Sequence, residues 1–108
     1  MASWKSRTNC EPEKQVENHL IDRVNNLGGL AWKFTSPGNA GVPDRIVVLN
    51  NLICFVELKR PKGGKISDMQ AWRIGQLINQ GMKAYVIKNK EQVDELIGYM
   101  MKGILPDA

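Results

Sequence analysis

An α/β fold, with a mixed four-stranded sheet flanked by helices, follows from three features of this 108-residue chain. Two apolar runs, Arg45–Leu49 and Leu52–Leu58, are separated only by Asn50-Asn51, the pattern of a β-hairpin with a tight turn. Apolar residues recur at helical spacing once before that hairpin and twice after it, with a short apolar run over residues 83–88 between the later two. A strand reached from a hairpin through a helical crossover joins its neighbour in parallel, so the sheet is mixed and the helices pack on it.

The elements are expected in the order helix, three strands, helix, strand, helix. Residues 1–10 are polar and unpatterned and read as a flexible arm. From Glu11 the pattern turns helical: Val16, Leu20, Val24 and Leu27 form one apolar face, Pro12 suits the first turn, and Gly28-Gly29 stops the helix. Residues 30–35 read as the first strand. The loop from Ser36 to Gly41 is rich in turn formers, and Pro43 fixes the backbone just before Asp44. After the hairpin, residues 60–65 form a basic, glycine-containing loop. Ser67 and Gln70 have the spacing of a capping box, and the helix that they open runs to a stop at Gly81. Asn89 and Gln92 repeat that spacing before a last helix with a stripe of Val93, Leu96, Ile97 and Met100, closed by Gly103. Residues 11–103 thus form one domain, and 104–108 a tail.

Composition narrows the function. The chain is 43% hydrophobic and 24% charged, ordinary for a globular domain, and no run approaches the ~18 apolar residues of a membrane helix. The first fifteen residues hold Lys5, Arg7 and Lys14 and no apolar segment, so no secretory signal is expected and the cytosol is the default. Cys10 and Cys54 make neither a disulfide framework nor a zinc site, and Cys54, inside an apolar run, reads as a buried small hydrophobe. The single histidine, His19, excludes chemistries that need several histidines in one chain, and it lies in a helical pattern far from any nucleophile motif. Gly63-Gly64-Lys65 lacks the spacing of a P-loop. The net charge is only +4, but Lys59, Arg60, Lys62 and Lys65 crowd into seven residues, which points to a polyanion met at one place.

That basic stretch adjoins the chemistry-bearing residues. Asp44 enters the first strand of the hairpin and Glu57 and Lys59 leave the second. Side chains alternate along a strand, so Glu57 and Lys59 share a face, roughly 6.5–7 Å apart. A hard divalent cation such as Mg²⁺ takes one or two carboxylates, with water and substrate oxygens filling the remaining positions. Asp44, Glu57 and the backbone carbonyl of Leu58 fit that need. The ammonium of Lys59 beside them can orient a water or stabilise charge developing on a phosphoryl group. Glu17, mid-helix beside the apolar stripe, has no functional signal from position alone, and Gln70 is accounted for by its capping role.

Pro43-Asp44, twelve residues, then Glu57-Leu58-Lys59 resembles the PD-(D/E)xK nuclease signature, and the αβββαβ order matches the restriction-endonuclease-like core of that superfamily, here with an extra C-terminal helix. The closer likeness is to the VRR-NUC group in its small stand-alone phage and bacterial form. It rests on residues 41–45 (GVPDR), 55–59 (FVELK) and Ser67 to Gln70, and spans about residues 13–100.

The resemblance implies a Mg²⁺- or Mn²⁺-dependent DNA endonuclease of the cytoplasm of a bacterial or phage-infected cell. Stand-alone members look like structure-selective enzymes that act as homodimers on four-way junctions. Asp44 and Glu57 would be metal ligands and Lys59 the catalytic lysine. Glu17 would be the first-helix glutamate of the site, with Glu13 as its rival, since the spacing from Glu17 to Gly28 is similar to that helix in archaeal junction resolvases. Gln70 matches a glutamine bordering the site, and Ser36, Arg60, Lys62 and Lys65 would meet DNA. Two cuts per junction and one site per chain also call for two copies, with Trp72 or the last helix (Met100, Met101) as the expected interface. A nuclease acting on linear, flap or single-stranded DNA, and a non-catalytic DNA-binding module, are the other readings.

Overall fold

The structure is a computed structural model that describes residues 12–107; the arm over residues 1–10 and the helix start at Glu11 lie outside the described residues. Helix α1 (Pro12–Asn26) leads into strands β1 (Leu30–Lys33), β2 (Arg45–Leu49) and β3 (Leu52–Leu58). Helix α2 (Asp68–Asn79), strand β4 (Ala84–Ile87) and helix α3 (Lys90–Met101) complete the chain. The sheet order is β1-β2-β3-β4, antiparallel except for the β3–β4 pair, as a helical crossover requires. The first and last strands end one or two residues inside the expected runs.

Local chemistry sets the boundaries. Asn50 and Asn51 both have positive φ, 52° and 65°, the geometry of the two-residue turn whose twist suits a hairpin. Asn50 also donates to the carbonyl of Met100 at 3.0 Å, which ties the turn to the end of α3. The capping box at α2 is complete: Ser67 Oγ accepts from the Gln70 amide and Gln70 Oε1 accepts from the Ser67 amide.

One face of the sheet carries the core. Val16, Leu20 and Val24 of α1 and Val93, Leu96, Ile97 and Met100 of α3 pack on Ala31, Val47, Leu49, Cys54, Val56, Leu58 and Ile87. Met100 is fully buried there and Met101 is exposed, so the last helix turns only one of its two methionines outward. Burial pushes the Cys54 thiol up to about 12, which leaves it an inert packing group. His19 bridges α1 to α3 through Asp94 at 2.7 Å, joined by Arg23 at 2.7 Å. Helix α2 lies on the other face, and none of its residues is buried. Among the described residues no helix is long and apolar enough to cross a membrane.

Candidate active site

The hairpin register builds the centre of the site. Arg45 pairs with Val56 across the antiparallel ladder, so the next residues outward, Asp44 and Glu57, are neighbours on one face. Asp44 Oδ2 accepts the backbone amide of Leu58 at 2.8 Å, which ties the start of one strand to the end of the other. Glu57 is only 2% exposed, although it is a carboxylate. Its Oε2 accepts Nε2 of Gln70 at 2.9 Å and faces Nζ of Lys59 at 3.3 Å. Its Oε1 finds no hydrogen-bond donor among the described residues.

A buried carboxyl beside a second acid resists ionisation. Burial pushes the Glu57 pKa up to about 7 and the Asp44 charge adds to the rise, while Lys59 works against both. An unpaired buried oxygen beside a second carboxylate is an electrostatic deficit that a cation would relieve. Two carboxylates and a carbonyl match the hard, oxygen-seeking donor set of Mg²⁺ or Mn²⁺, so the residues present fit the ion. Among the described residues no group of three or more His, Cys, Asp or Glu side chains is arranged around a common metal position.

Glu17 is held by two cations. Its Oε2 accepts Nε of Arg45 at 3.1 Å and its Oε1 accepts Nζ of Lys14 at 3.0 Å. Partial burial opposes its charge, yet these two cations together hold its pKa below the usual carboxylate value. Arg45 also donates to the carbonyl of Ala31 at 3.1 Å, so it fixes α1 to the sheet. Sequence reasoning missed Arg45, and the available signal was a guanidinium inside an apolar strand directly after Asp44. Glu13, one turn earlier on the helix, lines a cavity of about 470 Å³ together with Pro12, Lys59, Arg60, Gly63, Gly64 and Lys65.

The loop that walls this cavity folds back on Lys59. A Cβ on Gly64 would run into the backbone of Arg60 and, at 3.0 Å, the Cβ of Lys59, so only glycine permits the turn. Of the four residues expected to meet DNA, Arg60 and Lys65 line the cavity, whereas Lys62 is exposed without lining it. Ser36 accepts Nδ2 of Asn39 at 2.9 Å within its own loop. Gln70 makes two contacts at once: its Oε1 accepts the Ser67 amide and its Nε2 donates to Glu57.

No protein-family model matches the chain. Over 80 residues it is 41% identical to "Putative nuclease p44" of Acyrthosiphon pisum secondary endosymbiont phage 1, a match covering 73% of this chain and 85% of that protein. It is also similar to a solved structure titled "VRR_NUC domain", with a TM-score of 0.77 and 30% identity over 83% of this chain and 98% of the other. Together with the αβββαβ order and the paired carboxylates of the hairpin, these likenesses mean that the chain belongs to the VRR_NUC family of nuclease domains.

Proposed function

We propose that this chain is a Mg²⁺- or Mn²⁺-dependent endonuclease that hydrolyses phosphodiester bonds in DNA, with four-way junctions as its preferred substrate and a homodimer as its working form. The observation that carries the reading is the buried, unpartnered Oε1 of Glu57 beside Asp44. A fold that only needed to pack would have no reason to bury an acid in that state. Asp44, Glu57 and the Leu58 carbonyl would hold the ion. Of the two helix carboxylates we favour Glu13 as a further member, because it shares the cavity with Lys59 while Glu17 is bound by Arg45 and Lys14.

The remaining groups have separable tasks. A cation bound there would supply Lewis-acid polarisation of the phosphoryl oxygens and lower the pKa of a water. The Leu58 amide donates to one carboxylate oxygen of Asp44, Oδ2, and the Gln70 amide fixes Glu57 so that Oε1 stays turned away from the protein's own donors. Lys59, held at 3.3 Å from Glu57, brings a positive charge to the place where negative charge grows on the transferred group. Arg60 and Lys65 on the cavity wall attract the backbone phosphates, and that attraction weakens with salt.

The decisive experiment offers labelled four-way, flap and linear DNA with Mg²⁺, Mn²⁺ or EDTA. Metal-dependent cleavage that is fastest on the junction is the expected result. Equal rates on linear duplex would replace junction resolution with a general nuclease, and binding without any metal-dependent product would sink the enzyme reading. Lys59→Ala should abolish cleavage while junction binding in a gel-shift assay is retained.

A further inference from the structure

Strand β4 ends the sheet, with β3 on one side and no strand on the other. The carbonyls of Lys83 and Ile87 accept the amides of Phe55 and Lys59, each at 2.9 Å. Backbone groups alternate in direction along a strand, so Ala84 and Val86 turn their N–H and C=O away from β3. These outward groups have no hydrogen-bond partner among the described residues. The next outward amide, that of Lys88, is already taken by Oε1 of Gln92 at 2.7 Å. Sheet edges are normally blunted by charge or proline, and Ala84-Tyr85-Val86-Ile87 carries neither. Ala84 is buried and Val86 half-buried, and both line a groove of about 560 Å³. Ile74 and Ile78 of α2 wall one flank of it, and Leu96 and Tyr99 of α3 the other. The charged residues among its lining are Glu95 and Asp107, both acids in a chain of net charge +4. Lys83 pairs with Asp107 at 2.6 Å, whereas Glu95 has no partner among the described residues.

We propose that this groove takes an extended segment of another protein, which adds to β4 as a further strand and carries apolar and basic residues in alternation. The inference is independent of the nuclease reading. In this mode of recognition main-chain pairing at a sheet edge supplies the affinity, and the pockets on either side supply the specificity. An antiparallel neighbour exchanges both hydrogen bonds of one residue with Val86 and both of another with Ala84, which satisfies every outward group. The side chains of such a strand point alternately to the two flanks. On the α2 flank they meet Ile74 and Ile78, which calls for Val, Ile or Leu. On the α3 flank they meet Leu96 and Tyr99 beside Glu95, which calls for Lys or Arg, with the stem on apolar ground and the charge at the acid. Acids without a bound cation repel phosphate, so the groove does not suit DNA. A second copy fits poorly as well, because β4 paired with β4 about a twofold axis would bring the two Glu95 side chains onto one face.

Fluorescence anisotropy of the full chain with a labelled octapeptide of alternating Val and Lys, and with its Val-Glu counterpart, tests the proposal. The expected result is saturable binding of the Val-Lys peptide, roughly tenfold tighter than that of the Val-Glu peptide. The net charge of +4 opposes that preference, so it reports the acids of the groove. Val86→Pro removes the outward donor and spares the bonds to β3, so it should weaken binding roughly tenfold. Val86→Thr, which keeps the donor and the strand propensity, should retain it. Glu95→Lys, on the exposed side of α3, should reverse the preference between the two peptides. Circular dichroism should match wild type in all three, and if Val86→Pro fails to fold, the reversal by Glu95→Lys decides. Absence of binding, or binding that neither Val86→Pro nor Glu95→Lys alters, would overturn the proposal. A fall in sedimenting mass caused by either of those variants would also overturn it, by giving the groove to a second copy.

Discussion

Glu57 is buried where a carboxylate would ordinarily be solvated, and the cost can be read as a pH dependence. Its pKa stands at about 7 against an ordinary 4.5. In the metal-free protein, between those values the folded chain keeps a proton that the unfolded chain has released. Stability therefore falls as pH rises from about 4.5 to about 7, by on the order of 3 kcal/mol, and levels off above. Thermal melts in EDTA across that range should show the decline, and Glu57→Gln should flatten it. A divalent cation should remove the decline in the wild-type protein, since the ion favours the ionised carboxyl. Arg45 is the other residue on which much depends. Arg45→Ala leaves Oε2 of the half-buried Glu17 and the Ala31 carbonyl without the donor that Arg45 supplies, so chemical denaturation should reveal a loss of about 2 kcal/mol.

At the scale of elements, α2 is held by its ends and edges rather than by a buried stripe. Gln70 reaches Glu57, Arg73 donates to the Ala40 carbonyl at 2.9 Å, and Gly41, with φ of +87°, lets its loop close onto Met69. The same helix start that caps itself also orients the buried carboxylate, so if Glu57 holds the proposed cation, capping and metal affinity are coupled. Ser67→Ala should cost about 1 kcal/mol in an unfolding assay through the lost cap. Gln70→Ala should do the same and also weaken Mn²⁺ binding, followed by calorimetry, by roughly 10–100-fold, as expected for a group that orients a metal ligand. Equal metal affinity in the two proteins would restrict Gln70 to the cap.

For the molecule as a whole, the division of labour is between two faces of one sheet. The face under α1 and α3 is filled with aliphatic side chains and supplies the stability. The other face carries the carboxylate pair at one end, α2 against β4, and exposed Leu30, Trp32 and Ile53 on β1 and β3. The hairpin, the capping box at Ser67 and the order of the elements were legible in the sequence, because each depends on residues a few positions apart: the asparagine turn, the Ser67–Gln70 spacing, the 3.6-residue stripes. Asp44, Glu57 and Lys59 were legible for the same reason, as charges at the ends of apolar runs. Their contact also follows from the register of the hairpin once its turn is known. The partner of Glu17 was not legible, because Arg45 meets it across 28 positions of chain and only the packing of α1 on the sheet decides which helix carboxylate is consumed by an ion pair. The cavity shared by Glu13 and Lys59 was hidden likewise, since it forms where a helix start and a loop distant in sequence converge. Nor could periodicity tell that Trp32 and Ile53 face outward: alternation sorts a strand's residues onto two faces, but which face the helices cover is settled only when the whole chain packs. The sequence by itself determined the elements and the charged residues at their ends; the tertiary structure decided which charges pair, which carboxylate keeps an unpartnered oxygen and which apolar residues stay exposed, because each of those is an interaction between elements and not a property of one.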